Sequence, residues 1–337
     1  MANAATRHRI RLVQMARTVQ ISEIIRSVHF AERDPGRNWV KDAHIAVDQD
    51  TPLDSTKILT PNVIRLPDGT YRMYYTGLGL GRPTVESEGY ILSASSNDAV
   101  VWVKDPGIRL DVHSPHANRR VLCPDVIPLP DGRYRMYYEA RTASDPTSVL
   151  SAVSENGLDW EPEPGIRVAD GRWSYGSPRC LYFRGTNGGL RYRIYCHHYS
   201  HPLKPGLASQ NHIVSAASRD GLHFELEPGV RIPQETRYED YAVYAPEVIR
   251  LADGAYRMYY AAWTHDPMHG RIFTAVSRDG LHWRKDPEPC LDIGGPWDQT
   301  HASEPCVIDL DDGRFRLFYE ACDANGRWRI LSATSLN

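Results

Sequence analysis

The chain has 337 residues, of which 41% are hydrophobic and 24% charged, with a net charge of −3 at neutral pH. These values describe a folded globular protein with a sizeable core, and give no electrostatic ground for a nucleic-acid or acidic-membrane partner. Its six cysteines show no CxxC spacing and no dense framework, so they are expected as reduced thiols. Arginine carries most of the basic charge, with lysine only at Lys41, Lys57, Lys104, Lys204 and Lys285, and this reads as a compositional habit.

Residues 1–22 read as an N-terminal extension, basic but without the continuous apolar run of a secretory signal. No later stretch reaches membrane-spanning length, and the expected location is the cytoplasm. From Ser27 runs the phrase SVHFAERDPGRNW, which gains its meaning from a repeat further along the sequence. At Pro61 begins PNVIRLPDGTYRMYY: an apolar strand, a tight Asp-Gly turn and an aromatic strand. Close copies start at Pro124 (PDVIPLPDGRYRMYY) and Pro246 (PEVIRLADGAYRMYY), and looser ones at Pro178 and Pro305. Behind them come third strands such as ILSASSND from Ile91 and IFTAVSRDGLHW from Ile272. Fourth strands follow in VWVKDPGIRL, DWEPEPGIRV, HFELEPGVRI and HWRKDPEPCL. The last copy stops after its third strand, at ILSATSLN, and the phrase from Ser27 matches the missing fourth.

A repeat of this length sets the architecture. The expected fold is all-β: a five-bladed β-propeller of four-stranded antiparallel blades over residues 23–337, closed by an N-terminal strand that completes the last blade. Stacked β-sandwiches would not explain the split final repeat.

Closing a ring brings unlike residues to its centre. Just after the five prolines stand Asn62, Asp125, Arg179, Glu247 and Cys306, and just before them Thr60, Cys123, Ser177, Ala245 and Glu304. The ends of the second strands carry Thr76, Glu139, His197, Ala261 and Glu320. These positions differ from copy to copy while the scaffold repeats, as expected of a site assembled from one side chain per blade. Trp263, His301 and the run CHHYSH from Cys196 would rim a carboxylate-bearing pocket suited to a polyhydroxylated ligand. Adjacent histidines on a strand face opposite ways, so His197 and His198 do not make a metal site, and neither metal nor cofactor is assigned. Cys123, Cys180 and Cys306 read as small inert core residues.

The strand phrase PDVI…DGRYRMYYEA and the turn phrase SRDGLHW resemble the five-bladed propeller glycosidases, a superfamily of arabinanases, xylosidases, invertases, levansucrases and mannoside phosphorylases. The resemblance spans residues 24–337 and implies acid/base chemistry by carboxyl groups. Asp125 matches a Pro-Asp motif of that superfamily, and Glu304 a Glu-before-Pro acid; His301 stands where some members place a histidine near a metal or water. At the blade-one position of the base, this chain has Thr60. The expected function is glycoside hydrolase-like action on a small soluble carbohydrate or glycoside. Asp125, Glu247 and Glu304 would be catalytic, and Asn62, Glu139, Arg179, His197, Trp263, His301 and Glu320 would hold substrate. The alternatives are a repurposed propeller performing lyase, isomerase or cyclase chemistry, and a non-catalytic sugar- or metabolite-binding propeller.

Overall fold

A computed structural model describes residues 20–81, 87–200, 211–310 and 312–336. The repeats fold as successive antiparallel sheets. Lys57–Arg65, Tyr71–Leu78, Tyr90–Ser96 and Val103–Lys104 form the first, and Arg120–Pro128, Tyr134–Arg141, Ser148–Ser154 and Glu161–Pro162 the second. Trp173–Arg184, Leu190–Ser200, His212–Ser218 and Phe224–Leu226 form the third. The remaining strands make one nine-stranded sheet. Within it, Ala242–Leu251, Tyr256–Trp263, Gly270–Ser277 and Arg284–Lys285 meet His301–Asp309, Phe315–Cys322 and Trp328–Ser335 through a single parallel pair, Gly270 with His301. The leading strands of the repeats contact one another in a closed cycle, with His301–Asp309 returning to Lys57–Arg65.

Apolar residues alternate along each strand and are buried on both faces of the middle strands, so core forms between neighbouring sheets. Ile64, Tyr74 and Ile91 of the first sheet pack with Val126, Met136 and Tyr138 of the second. Ile127, Tyr137 and Val149 then pack with Tyr182, Ile194 and Cys196 of the third, where Ile21, Ile24 and Ile25 of the N-terminal segment also dock.

The fourth strands are shorter than their phrases suggest, two or three residues each. Proline in DPG and EPEP cannot donate to a ladder, so pairing stops there. The chain then returns to the third strand through isolated bridges such as Ile91 with Leu110 and Val149 with Val168.

The closing segment also differs in register from expectation. Trp39–Val47 pairs with Trp328–Ser335, so the phrase from Ser27 gives that strand only its last residue, Trp39, and otherwise contributes Phe30–Ala31, parallel to Arg250 and Leu251. The rest of that phrase supplies a turn. Tyr74, Tyr137 and Tyr195 each donate their hydroxyl to a glycine carbonyl of the next sheet's turn (Gly157, Gly221 and Gly280) at 2.8–2.9 Å. Tyr259 makes the same bond to Gly36 at 2.7 Å, so Asp34-Pro35-Gly36 takes the place of the Ser-Arg-Asp-Gly turn.

Arginine repeats for a structural reason. Arg167 and Arg231 donate to the turn carbonyls of Leu222 and Leu281 in the following sheet at 2.8 and 2.9 Å. Arg316 does the same to Ala99 at 2.8 Å. A planar guanidinium spreads its donors over several carbonyls in a fixed fork, as Arg167 does to Leu222, Glu163 and Pro164.

Candidate functional site

Each leading strand is broken at its proline by the same irregularity. The register shifts between Leu59 and Asn62, Leu122 and Asp125, Gly176 and Arg179, Tyr244 and Glu247, and Ser303 and Cys306. The residue before the proline adopts left-handed backbone in all five: Thr60 (φ 51°), Cys123 (54°), Ser177 (46°), Ala245 (49°) and Glu304 (50°). Non-glycine residues hold this conformation at a cost, and such strain concentrates where a side chain must be aimed. The bulge turns the pre-proline and post-proline side chains into two separate tiers.

The post-proline tier is sealed. Asn62 accepts the Val126 N–H at 3.0 Å, Asp125 the Cys180 N–H at 2.6 Å and Glu247 the Val307 N–H at 3.1 Å, each stitching one leading strand to the next. Cys306 Sγ accepts the Val63 N–H at 3.2 Å. Arg179 accepts nothing; it bonds Glu247 at 2.9 Å and donates to the carbonyls of Pro61, Pro124 and Pro178. His29, from the N-terminal segment, enters the centre, with Nε2 3.0 Å from Asp125 and Nδ1 3.4 Å from Glu247. Burial would lower its pKa, but the Glu247 and Asp125 carboxylates raise it to about 10, so both ring nitrogens donate. Burial opposes ionisation of Glu247, yet His29 and Arg179 hold its carboxyl below the usual range. Two carboxylates and two cations thus neutralise each other out of contact with water.

The pre-proline tier is where unsatisfied chemistry gathers. Glu304 is only 8% exposed, and its Oε2 has no hydrogen-bond partner among the described residues. Burial, then the neighbouring Glu320 and Glu139, push its carboxyl well above the usual range. Glu320 is also raised, chiefly by burial; it accepts from Ser303 Oγ at 2.8 Å and from the Thr60 N–H at 3.2 Å. Glu139 pairs with Arg120 at 3.0 Å and accepts the Ser177 N–H at 3.3 Å. Cys123 Sγ lies 3.7 Å from Glu139 and 3.5 Å from Ser177 Oγ, and burial with both glutamates keeps it a thiol. Gly176 makes room: a β-carbon there would stand 2.2 Å from Glu139 Oε2 and 3.0 Å from His197 Cε1.

A crescent of rings surrounds these carboxyls. It runs from Tyr199 to His197 (5.4 Å between centroids), Tyr244 (5.8 Å), Trp263 (5.5 Å), His301 (4.3 Å) and Trp328 (5.1 Å), and ends with the Lys57 ammonium 3.9 Å above Trp328. Burial lowers His197 and His301 to about 4, leaving both neutral at pH 7. His197 Nδ1, Trp263 Nε1 and His301 Nε2 are buried and lack partners among the described residues. Unpartnered buried atoms also occur elsewhere among the described residues, but here three ring nitrogens and Glu304 Oε2 converge, as a polar ligand would require.

The sequence-predicted residues therefore divide. Glu304, Glu139, Glu320, His197, Trp263 and His301 come together in the upper tier, whereas Asp125, Glu247, Arg179 and Asn62 lie in the sealed one. Arg179 touches both, since its charge also opposes the rise at Glu304. His198 stacks on Trp173 at 4.6 Å; His201 falls outside the described residues. No group of three or more His, Cys, Asp or Glu side chains is placed to hold a metal among the described residues. Tyr199 belongs to the run expected at the rim, whereas sequence reasoning missed His29, Lys57, Arg120, Tyr244 and Trp328. Of these, Tyr244 carried a signal, because the residue preceding the bulge varies between copies as the mouth residues do.

No protein-family model matches the sequence. Among curated proteins, it is 32% identical over 224 residues to the uncharacterized protein MT1551 of Mycobacterium tuberculosis, covering 60% of this chain and 68% of that protein. It is also 32% identical over 143 residues to the uncharacterized protein Rv1502 of Mycobacterium tuberculosis, covering 41% of this chain and 45% of that one. Among solved structures, a thermostable family-43 glycoside hydrolase superposes with a TM-score of 0.64 at 19% identity, over 82% of this chain and 88% of that one. The endo-arabinase from Bacteroides thetaiotaomicron gives 0.60 at 15% identity, over 86% and 96%. A member of the GH130 family of mannoside phosphorylases gives 0.63 at 14% identity, over 89% and 92%. The fold is that of the β-propeller glycosidases, and this protein belongs to the same family as the mycobacterial protein MT1551.

Proposed function

We propose that this protein is a glycosidase-like enzyme, acting on a small carbohydrate or glycoside held in the upper tier of a five-bladed propeller. In this reading the nine-stranded sheet is two blades joined by the Gly270–His301 pair, and residues 30–47 complete the last blade. One observation carries the chemistry: Glu304 is a buried carboxyl with a free oxygen, aimed by strained backbone and kept protonated by burial and its neighbours.

Glu304 is the general acid, giving its proton to the leaving oxygen as the glycosidic C–O bond breaks. Glu139, as the carboxylate of the Arg120 ion pair, takes the proton of the attacking water. Glu320, fixed by Ser303 and Thr60, keeps the acid protonated, and His197, Trp263 and His301 hold the sugar. Asp125 and Glu247, read from sequence as catalytic, become structural anchors of the ring together with Asn62 and Arg179, because each is fully buried and already bonded.

The test is turnover on a panel of aryl glycosides and small oligosaccharides, with products detected by mass. Aglycone release that is lost in Glu304→Gln and Glu139→Gln but kept in Tyr137→Phe, at a turn between sheets, supports the reading. Silence of the folded wild type across the panel refutes it. A second enzymatic reading, chemistry without water, is favoured by Thr60 standing where a base is expected. Turnover in H2-18O with no label in the product would select it. Ligand binding without turnover would select the non-catalytic propeller.

A further inference from the structure

We infer that the mouth carries an anion-binding subsite, built by Arg119, Arg120 and Arg141 around Glu88, which selects a glycoside bearing a carboxylate or phosphate group. This rests on the glycosidase reading for its substrate but not for the subsite itself. The three guanidiniums are fixed by backbone. Arg120 and Arg141 are direct cross-strand partners, the Arg119 N–H donates to the Arg141 carbonyl at 3.0 Å, and the Glu88 N–H donates to the Arg119 carbonyl at 2.8 Å.

The single Glu88 carboxylate serves all three, at 3.2 Å to Arg119, 2.9 Å to Arg120 and 2.5 Å to Arg141. Arg120 then spans to Glu139 at 3.0 Å, which places the cluster directly beside the proposed base. Three positive charges face two negative ones, leaving a net positive charge at the edge of the site. Each guanidinium offers five N–H donors, far more than two carboxylates can absorb. Arg141 Nε is buried and has no partner among the described residues. The side chains remain reachable, 41%, 23% and 25% exposed for Arg119, Arg120 and Arg141. Forked donors of this kind match the paired oxygens of a carboxylate or phosphate. The Tyr199–His197 end of the aromatic crescent lies within electrostatic reach of Arg120, so a sugar face and an anionic substituent meet adjoining, complementary walls.

The experiment is calorimetric titration of the full chain, carrying Glu304→Gln to suppress turnover. The probes are methyl glycosides of glucuronate and galacturonate, their neutral glucose and galactose parents, glucose 1-phosphate and inorganic phosphate. At least one anionic sugar should bind about tenfold tighter than its neutral parent, the size of one charge-assisted hydrogen bond. That preference should fall below about threefold in Arg119→Gln and in Arg141→Gln, and shrink between about 50 and 300 mM NaCl. Equal binding of neutral and anionic sugars, no binding of any probe, or a preference surviving both substitutions overturns the proposal. Arginine-dependent binding of inorganic phosphate as tight as that of any sugar also overturns it, in favour of a free anion. An arginine-dependent preference in a protein inactive on every glycoside sinks the glycosidase reading alone, and turnover of neutral glycosides without the preference sinks this one alone.

Discussion

Replacing His29 by alanine tests how the sealed tier is held together. In the native protein Asp125 and Glu247 are balanced by Arg179 and the His29 imidazolium, all solvent-excluded. Without His29 two buried carboxylates share one guanidinium, leaving excess negative charge in the tier. Removing one partner of a buried ion pair costs about 3–5 kcal/mol. The same two carboxylates raise the His29 pKa from 6.5 to about 10, a change of the sign this cost requires. At roughly 2 °C per kcal/mol for a chain of this size, Tm should fall by about 6–10 °C. The sign of the pH dependence follows from the raised pKa. The stabilisation is complete below pH 6.5, the unfolded value, and is lost as pH rises through about 10. Thermal and urea unfolding of the wild type and His29→Ala, run from pH 6 to pH 10.5, should therefore give curves that differ most at the acid end and converge at the alkaline end. Adding Glu247→Gln to His29→Ala restores charge balance and should recover about half of the loss. A loss below about 1 kcal/mol at pH 6, or one that is the same at both ends, would refute this account.

Glu304→Gln should lower turnover by about 10²–10⁴-fold while leaving Tm unchanged or higher, because the amide needs no partner charge; thermal shift and product assays on one preparation check both. Since Glu304 titrates above the usual carboxyl range, wild-type activity should decline as pH rises through that raised value, and a rate profile still climbing there would contradict the acid role. Tyr137→Phe removes only the 2.8 Å bond to the Gly221 carbonyl and should cost about 1 kcal/mol in urea unfolding. Gly221→Ala should cost more, about 2–3 kcal/mol, because φ is +75° and the new β-carbon would stand 2.9 Å from the Tyr137 hydroxyl. Equal effects of these two substitutions would show that the turn contributes nothing beyond the hydrogen bond.

The sequence by itself determined the scaffold. Its proline-led strands, Asp-Gly turns and aromatic second strands dictate local hairpins, and the N-terminal strand Trp39–Val47 pairs with Trp328–Ser335. Repeats of this kind are legible because local pairing and binary pattern agree in every copy. It also located the divergent rim, where Glu139, Glu304 and Glu320 stand at aligned positions. Only the tertiary structure decided which carboxyls belong together. One residue separates Asp125 from Cys123 along the sequence, but the left-handed bulge at each proline sends successive side chains to different tiers, and no spacing rule encodes that. His29 shows the same limit: it lies 96 residues from Asp125 in sequence, and the histidines matching it in the repeat phrase, His223 and His282, are exposed. The closing register was missed for a related reason, since proline in Asp34-Pro35-Gly36 reads equally as a strand end or a turn until Tyr259 bonds the Gly36 carbonyl. Local chemistry fixes what each unit becomes. Packing of the leading strands brings together residues far apart in sequence, and burial there sets which carboxyls are ion-paired and which keep a proton.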